Sequence, residues 1–277
     1  MGYSNQEGAS KRLSGKVALI TGSSRGVGKQ AALLFANEGA DIVVAGRTQK
    51  QGESPYPGTI YETADEVRAL GRRALPIAVD LRVAEEVQGM CRKAIDEFGR
   101  VDILINNAWY NSGKDFGPEG LLESFLTCSL GYWNSMIAVN LTAPFVACRE
   151  LVPHMIKQGS GIIFCTTSSV AINQNPVPFG RPGSTNVSYG SSKAALNRFV
   201  LHLATELKPH NIPVIAIDPG FTRTPQVELR HGKNAERAKP ADVPRRTMLY
   251  LCTCPNPLWY SGKVIVVDDF IQEHNLV

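Results

Sequence analysis

The sequence contains no long hydrophobic segment. No uninterrupted apolar run approaches the ~18 residues that a membrane-spanning helix needs, and the first dozen residues, MGYSNQEGASKR, are polar rather than typical of a secretory signal. We therefore expect a cytoplasmic protein without a membrane partner, with residues 1–12 as a flexible N-terminal tail. Gly2 does not change this expectation, because a myristoylation signal requires Ser or Thr at position 6 and the chain has Gln6.

The sequence also carries little net charge. Its formal net charge is +4 over 277 residues, and pairs such as Arg72-Arg73 and Arg245-Arg246 are its densest arginine segments. A nucleic-acid-binding surface needs a strong local excess of Lys and Arg. We therefore expect no nucleic-acid partner and interpret the basic residues as solvated surface.

Patterns typical of metal sites and disulfide frameworks are missing too. The six cysteines are scattered through apolar segments, and the C-x-C pair Cys252 and Cys254 is by itself a poor zinc site. The five histidines form no H-E-x-x-H motif or related cluster. We expect reduced thiols that pack as small hydrophobic side chains, and no bound metal.

What the sequence does contain is a regular alternation of short apolar runs and amphipathic segments. Hydrophobic residues make up 43% of the chain, which is enough for a full core, and no repeat or domain boundary is visible. Strands alternating with helices favour a doubly wound α/β fold with helices on both faces of a parallel sheet. We predict one domain over residues 13–277 with about seven strands, at 17–20, 41–46, 74–79, 101–105, 161–165, 212–217 and 264–267.

A glycine-rich turn joins the first predicted strand to the first predicted helix, within KVALITGSSRGVGKQAALLFA at residues 16–36. A helix N-terminus has unpaired backbone N–H groups and partial positive charge, and glycines let a phosphate approach the backbone closely. We therefore predict a pyrophosphate site here; a helix-capping turn without a ligand is the alternative. The predicted ligands are Gly22, Ser24, Arg25, Gly26, Val27 and Gly28.

The end of the second predicted strand supplies candidates for contact with the adenosine ribose. A dinucleotide fold places an acidic residue here to bind NAD, or a basic residue to bind the 2′-phosphate of NADP. This chain has Arg47 and Thr48, and Arg25 in the glycine turn is expected to reach the same place. Because two guanidinium groups suit a phosphate dianion, we predict NADP(H) as the cofactor. Two surface arginines without a ligand are the alternative.

Six motifs occur together, and in their order they resemble the short-chain dehydrogenase/reductase family. They are T-G-x-x-x-G-x-G at 21–28, N-N-A at 106–108, V-N-L at 139–141, a serine pair at 168–169, Y-x-x-x-K at 189–193 and P-G-x-x-x-T at 219–224. The resemblance covers nearly the whole chain. It implies a Rossmann-type fold, a nicotinamide cofactor, and a homodimer or homotetramer joined through the helices near 137–158 and 189–208.

The resemblance also implies roles for individual residues. Tyr189 is expected to be the acid for a carbonyl oxygen and Lys193 to bind the nicotinamide ribose. Ser169 is expected to bind the carbonyl oxygen, with Ser168 in reserve, and Asn140 to position a water or, alternatively, only to bend its helix. The other cofactor ligands that it implies are Asn107, Ala108, Pro219, Gly220, Thr222, Leu81 and Asp80, which is also a candidate cap for the helix beginning near residue 84.

The pair Tyr189 and Lys193 suits ketone reduction, because the two side chains lie four residues apart on one face of a predicted helix. Hydride transfer to a ketone builds negative charge on oxygen, so an acid must be within hydrogen-bond reach. A neighbouring ammonium and an oxidised nicotinamide are expected to lower the phenol pKa from ~10. We therefore predict an NADP(H)-dependent carbonyl reductase or alcohol dehydrogenase acting on a hydrophobic small-molecule ketone or alcohol, with a ring system as one candidate.

Two segments near the predicted substrate cleft, at 110–136 and 170–188, are longer than this family usually has. We predict a small apolar helix at 121–126 and a cleft wall that includes Trp109 and Phe116; an ordinary surface insertion is the alternative. Trp109 stands where the family motif N-N-A-G has glycine. It is therefore expected to narrow or reshape the pocket.

Two other functions stay open. A binding protein that senses NADP(H) with little turnover is compatible with Trp109 and with Asp268-Asp269-Phe270, where the family favours D-G-G. An enoyl reductase is disfavoured by the short spacing of the Y-x-x-x-K motif. In the enzymatic interpretation, residues 224–239 are expected to form a mobile lid.

Overall fold

The central feature of the fold is a seven-stranded parallel sheet. The computed structural model describes residues 11–110, 124–172 and 187–276. The order of the strands in the sheet is β3-β2-β1-β4-β5-β6-β9, and the short strands β7 and β8 pair with each other. The strands are β1 (Val17–Thr21), β2 (Asp41–Gly46), β3 (Ala74–Ala78), β4 (Ile103–Asn106), β5 (Ile162–Thr166), β6 (Val214–Asp218), β7 (Thr222–Arg223), β8 (Lys239–Pro240) and β9 (Val264–Val266).

The strand order confirms the predicted doubly wound architecture. The chain builds outward from β1 to β3 and then returns to place β4 on the other side of β1. Such a reversal leaves a crevice at the carboxyl ends of the two central strands, where α/β proteins bind their ligands. The crevice lies directly after Thr21 and Asn106, the last residues of β1 and β4.

Helices cover both faces of the sheet, so its strands are buried on both sides. Successive residues of β1 point to opposite faces: Leu19 packs in one apolar cluster and Ile20 in the other. The helices are α1 (Gly26–Asn37), α2 (Ile60–Ala69), α3 (Ala84–Phe98), α4 (Leu130–Ile137), α5 (Ala143–Lys157), α6 (Val187–Leu207), α7 (Pro225–His231), α8 (Val243–Thr253) and α9 (Val267–His274).

One continuous helical stretch runs from α4 to α5. The prediction of a helix starting near residue 137 is corrected here, because the stretch begins at Leu130 and contains a π-helical segment, Ala138–Thr142. Pro144 lies directly after the π-helical segment, and the helical stretch continues through it. Among the described residues, 130–157 is long and apolar enough to cross a membrane by length and composition alone. Half of its most apolar window is buried inside the fold, as in the core helix of an α/β protein.

Other predicted segments differ in detail. The apolar helix predicted at 121–126 does not extend over its described part, because Phe125 and Leu126 lie in an exposed turn. Residues 111–123, which include Phe116, lie outside the described residues, as do 173–186. The segment predicted as a lid contains α7 and a 3₁₀ segment, Gly232–Arg237; its mobility stays a prediction.

Candidate active site

The crevice opens into one continuous cavity of about 960 Å³. Its wall runs from the glycine turn after β1, past the ends of β2, β4 and β5, to the loop after β6. Almost every site residue predicted from the sequence lies on this wall. The exceptions are Gly28 and Asn140, which do not line the cavity.

The glycine turn is built so tightly that side chains would not fit. Gly22 and Gly26 have φ angles of +67° and +57°, in the left-handed region that favours glycine. A Cβ at Gly28 would lie 2.5 Å from the carbonyl oxygen of Gly22 and 2.6 Å from Nδ2 of Asn107. That amide donates to the carbonyl oxygens of Thr21 and Gly22, at 3.0 and 3.2 Å. Asn107 thus clamps the turn to the end of β1.

The glycine turn fits a phosphate group. Helix α1 begins at Gly26, and no side chain caps its first turn. Its first backbone N–H groups therefore remain available to an anion, with the partial positive charge of the helix behind them. The pyrophosphate site itself stays a prediction.

At the end of the cavity beside β2, the chain itself holds the guanidinium of Arg25. Arg25 donates to the hydroxyls of Ser54 and Thr48, at 2.7 and 2.9 Å, and to the carbonyl oxygen of Gly58, at 2.7 Å. Its guanidinium also lies 5.9 Å from the centre of the Tyr56 ring. Arg25 therefore fastens the loop between β2 and α2 beside the glycine turn.

Arg47 lies on the exposed wall of the same end of the cavity. Burial lowers the pKa of Arg25, and the positive charge of Arg47 acts in the same direction, so the two cations are within electrostatic range. The loop holds the terminal nitrogens of Arg25 at this end of the cavity, and Arg47 lines the same end. That both arginines bind one phosphate stays a prediction.

Asp80 and Leu81 follow β3 and line the cavity, as predicted. The Asp80 carboxylate accepts hydrogen bonds from Arg82, which lower its pKa and keep it charged. It does not cap α3, because the residue before that helix is Val83, which makes no side-chain cap. Instead the carboxylate of Glu86 accepts from the backbone N–H of Asp80 at 2.7 Å. Of the two roles considered for Asp80, the helix cap is therefore ruled out.

At the opposite end of the cavity, α6 presents Tyr189 and Lys193 on one face, as predicted. The Nζ of Lys193 lies 5.8 Å from the centre of the Tyr189 ring. Lys193 is only 2% exposed, and its Nζ donates to the carbonyl oxygen of Thr166, the last residue of β5, at 2.7 Å. The end of a sheet strand therefore fixes the position of the ammonium.

Burial shifts both ionisable groups toward their neutral forms. It raises the pKa of Tyr189 to about 12, although a hydrogen bond with Ser168 acts in the opposite direction, and the buried carboxylate of Asp218 raises it further. Burial also lowers the pKa of Lys193 to about 8. The expectation that Lys193 and an oxidised nicotinamide lower the phenol pKa stays a prediction for the cofactor-bound protein. At neutral pH the phenol is protonated and able to donate.

The serine that meets the phenol is Ser168. Its side chain hydrogen-bonds Tyr189, whereas Ser169 is exposed on the cavity wall. The backbone explains the difference: β5 ends at Thr166, Ser168 is still extended, and a 3₁₀ turn begins at Ser169. The prediction of Ser169 is therefore corrected to Ser168, the residue held in reserve.

Asn140 lies in the π-helical segment and its side chain links three parts of the site. Its Oδ1 accepts from the backbone N–H of Tyr110 at 3.0 Å, and its Nδ2 donates to the hydroxyl of Ser192 at 2.9 Å. Ser192 in turn donates to the carbonyl oxygen of Tyr189 at 2.8 Å. Sequence reasoning missed Ser192, although a small polar residue three positions after Tyr189 was a signal. The water-holding role of Asn140 stays a prediction.

The loop after β6 closes the far side of the cavity. The hydroxyl of Thr222 donates to the carbonyl oxygen of Pro219 at 2.8 Å, and the N–H of Gly220 donates to the buried carboxylate of Asp218 at 2.9 Å. Beside Gly220, Asp268 pairs with Lys239. The unusual D-D-F sequence therefore supplies an ion pair that supports this loop.

Trp109 lies on the cavity wall against the phenol of Tyr189. The two ring centres are 5.8 Å apart and the planes are inclined by 74°.

No group of three or more His, Cys, Asp or Glu side chains in the described part of the chain is arranged to hold a metal ion.

Known proteins are similar to this chain in sequence and in fold. A family model described as short chain dehydrogenase matches residues 16–234. The chain is 32% identical over 269 residues to the 3-oxoacyl-[acyl-carrier-protein] reductase FabG of Thermotoga maritima, which covers 93% of this chain and 98% of that protein. It is 30% identical over 276 residues to the 7alpha-hydroxysteroid dehydrogenase of Escherichia coli. That alignment covers 95% of this chain and 97% of the relative. The crystal structure of carveol dehydrogenase from Mycobacterium avium in complex with NAD superposes on this chain with a TM-score of 0.76 and 25% sequence identity. The superposition covers 93% of this chain and 97% of the other.

Proposed function

This chain belongs to the short-chain dehydrogenase/reductase family, and we propose that it interconverts a ketone and a secondary alcohol on a hydrophobic small molecule, with NADP(H) as the cofactor. One observation carries the proposal. Tyr189, Lys193 and Ser168 lie together at one end of the cavity, which we name the chemical end. The glycine turn at residues 22–28, which we name the glycine cradle, lies at the other end. A phenol that can donate a proton and a turn that suits a phosphate group thus border one space, which supports a nicotinamide-dependent reduction.

The residues at the chemical end suit the acid and base steps of this reaction. A nicotinamide cofactor bound in the cavity supplies the hydride in reduction and accepts it in oxidation. The Tyr189 hydroxyl gives its proton to the carbonyl oxygen as negative charge builds there, and the Ser168 hydroxyl binds the same oxygen. Lys193, held by Thr166, stabilises the phenolate that remains. In alcohol oxidation the phenolate takes the hydroxyl proton back.

The wall of the cavity supports a neutral, hydrophobic substrate. Apolar and aromatic side chains line the cavity, among them Trp109, Val170, Phe221 and Val227. The relatives named hydroxysteroid dehydrogenase and carveol dehydrogenase make hydroxyl-bearing hydrophobic molecules the first class to assay. The test is a panel of ketones with NADPH or NADH, and of alcohols with the oxidised forms, followed by nicotinamide absorbance. A chain that binds NADPH yet turns over no member of the panel would favour the binding-protein alternative.

Replacing Ser168 with Ala is expected to lower kcat by about 10²-fold, because one preorganised donor to the developing oxyanion is lost. Ser169→Ala is the matched control: its hydroxyl is one residue away and exposed, so kcat should stay within about 3-fold of the wild type, as for surface substitutions. Steady-state kinetics with the best ketone measure both. The reverse pattern, a loss in Ser169→Ala alone, would restore the assignment made from the sequence.

Replacing Arg47 with Asp is expected to raise KM for NADPH by about 10- to 100-fold, the loss of one charge-assisted contact to the 2′-phosphate. KM for NADH should change little, because NADH lacks that phosphate. Lys50→Asp is the control, since it makes the same charge change at an exposed neighbour that does not line the cavity. An equal effect of the two variants would show that the overall electrostatic potential, and not a contact of Arg47, changes KM. Better use of NADH than of NADPH by the wild type would refute the NADP(H) proposal.

A further inference from the structure

Trp109 is held in place by the backbone on both sides. The N–H of Ala108 donates to the hydroxyl of Thr21 at 3.2 Å, and the N–H of Tyr110 donates to Oδ1 of Asn140 at 3.0 Å. The first bond ties the segment to the end of β1, and the second ties it to the π-helical segment. The indole therefore projects from a short, doubly anchored link rather than from a free loop.

The indole lies beside the ring of the group that must meet the substrate. Its centre is 5.8 Å from the centre of the Tyr189 ring in an edge-to-face arrangement, which is favourable for two aromatic rings. Trp109 also lines the cavity that Tyr189 faces. A glycine here, as in N-N-A-G, would leave that volume to the substrate. In this chain the volume is filled by a flat, rigid side chain.

Other side chains that line the cavity are aromatic or aliphatic. Phe221 and His231 line the cavity and form a second edge-to-face pair, with ring centres 5.3 Å apart. Val170 and Val227 lie on the same wall. A ring that enters between such surfaces gains contact over its whole face, whereas a branched group touches them only at points.

We propose that Trp109 is a specificity-determining residue that selects carbonyl compounds in which a flat ring is attached to the reacting carbon. Compounds with branched bulk at the adjacent carbon are excluded, because the indole fills space beside the Tyr189 ring that such bulk would need. The proposal rests on the proposed function, since it assigns the substrate class of the same site. It concerns the shape of the group next to the carbonyl and not the cofactor.

The test compares an aryl methyl ketone with tert-butyl methyl ketone, which carry a flat and a branched group on the same reacting carbon. For the wild type, kcat/KM should be higher for the aryl ketone. In Trp109→Gly the ratio of the two kcat/KM values should fall about 10-fold or more, the size of effect that a change in pocket volume produces. Trp109→Phe, which keeps a smaller flat ring, should shift the ratio in the same direction by less. Trp259→Phe, at a residue that is 69% exposed and does not line the cavity, should leave it unchanged.

Each outcome decides a different point. NADPH affinity, measured by fluorescence titration, should be equal in all variants, which separates substrate selection from loss of the cofactor site. An unchanged ratio in an active Trp109→Gly protein would overturn the inference while leaving the proposed function intact. If Trp109→Gly does not fold, an unchanged ratio in Trp109→Phe has the same meaning. If the wild type binds NADPH but reduces neither these ketones nor any of the panel, the proposed function fails and this inference fails with it.

Discussion

Replacing Tyr189 with Phe is expected to lower kcat for ketone reduction by about 10²- to 10⁴-fold, the usual contribution of a positioned general acid. The substitution removes one oxygen and leaves the ring, so the contact with Trp109 is kept. NADPH affinity should not change, because the glycine cradle lies at the other end of the cavity. Stopped-flow or steady-state absorbance gives kcat, and a fluorescence titration gives the affinity.

The control for Tyr189→Phe is Tyr132→Phe, which removes a hydroxyl from another buried tyrosine that does not line the cavity. Its kcat should stay close to the wild-type value. Full activity of Tyr189→Phe would remove the phenol from the mechanism, and a similar loss in both variants would indicate a general effect of losing a buried hydroxyl.

The same assignment predicts a pH dependence. Burial raises the pKa of Tyr189 to about 12, so the phenol stays protonated through the neutral range and does not limit reduction. Burial lowers the pKa of Lys193 to about 8, so its ammonium is present below that pH and is lost above it. Since the ammonium stabilises the phenolate formed in reduction, kcat/KM for the ketone should fall as the pH rises through about 8. Alcohol oxidation needs the phenolate, so kcat/KM for the alcohol should instead rise with pH in the range below about 8, where the ammonium is retained.

Replacing Gly28 with Ala is expected to have the largest effect outside the chemical end. The new Cβ would lie 2.5 Å from the carbonyl oxygen of Gly22 and 2.6 Å from Nδ2 of Asn107, closer than such atoms approach in proteins. Neither neighbour moves freely, because the Asn107 amide is bonded to the turn and to Thr21. We expect a loss of about 1–3 kcal/mol in the free energy of unfolding, typical of overpacking. NADPH affinity should fall as well, since the displaced backbone forms the phosphate cradle.

Gly89→Ala provides a matched control for the Gly28 variant. Gly89 also lies inside a helix, α3, but a Cβ there would meet nothing within 4 Å. The substitution should be neutral or stabilise the fold by up to about 1 kcal/mol, because alanine favours the helix more than glycine does. Thermal and denaturant unfolding compare the two. Wild-type stability and NADPH affinity in Gly28→Ala would refute the tight packing of the turn.

Comparison of the predicted and observed elements shows where sequence reasoning was reliable. The strand at 41–46 was predicted at its observed bounds, and the turn 21–28 joined a buried strand to a helix as predicted. These features are encoded locally: an apolar run buried on both faces, a glycine where the backbone needs a positive φ, and a helical period of apolar residues. The shared helix face of Tyr189 and Lys193 has the same origin, since a spacing of four residues determines it.

Contacts between residues far apart in the chain were the part of the site that the motifs did not specify. Which serine meets the phenol depends on where β5 ends relative to α6, and the motif alone did not distinguish Ser168 from Ser169. Arg25 has the residue type and position of a phosphate ligand, yet a loop some 30 residues later engages its guanidinium.

The sequence by itself therefore determined the doubly wound sheet, the glycine turn between β1 and α1, and the shared helix face of Tyr189 and Lys193, because each follows from the spacing of nearby residues. Only the tertiary structure decided the partners of Arg25, the bond between Asn140 and Ser192, and the position of the Trp109 indole against Tyr189. These contacts depend on how strand ends and helices are placed relative to one another in space. Their placement comes from packing over the whole core, which no local pattern of residues specifies.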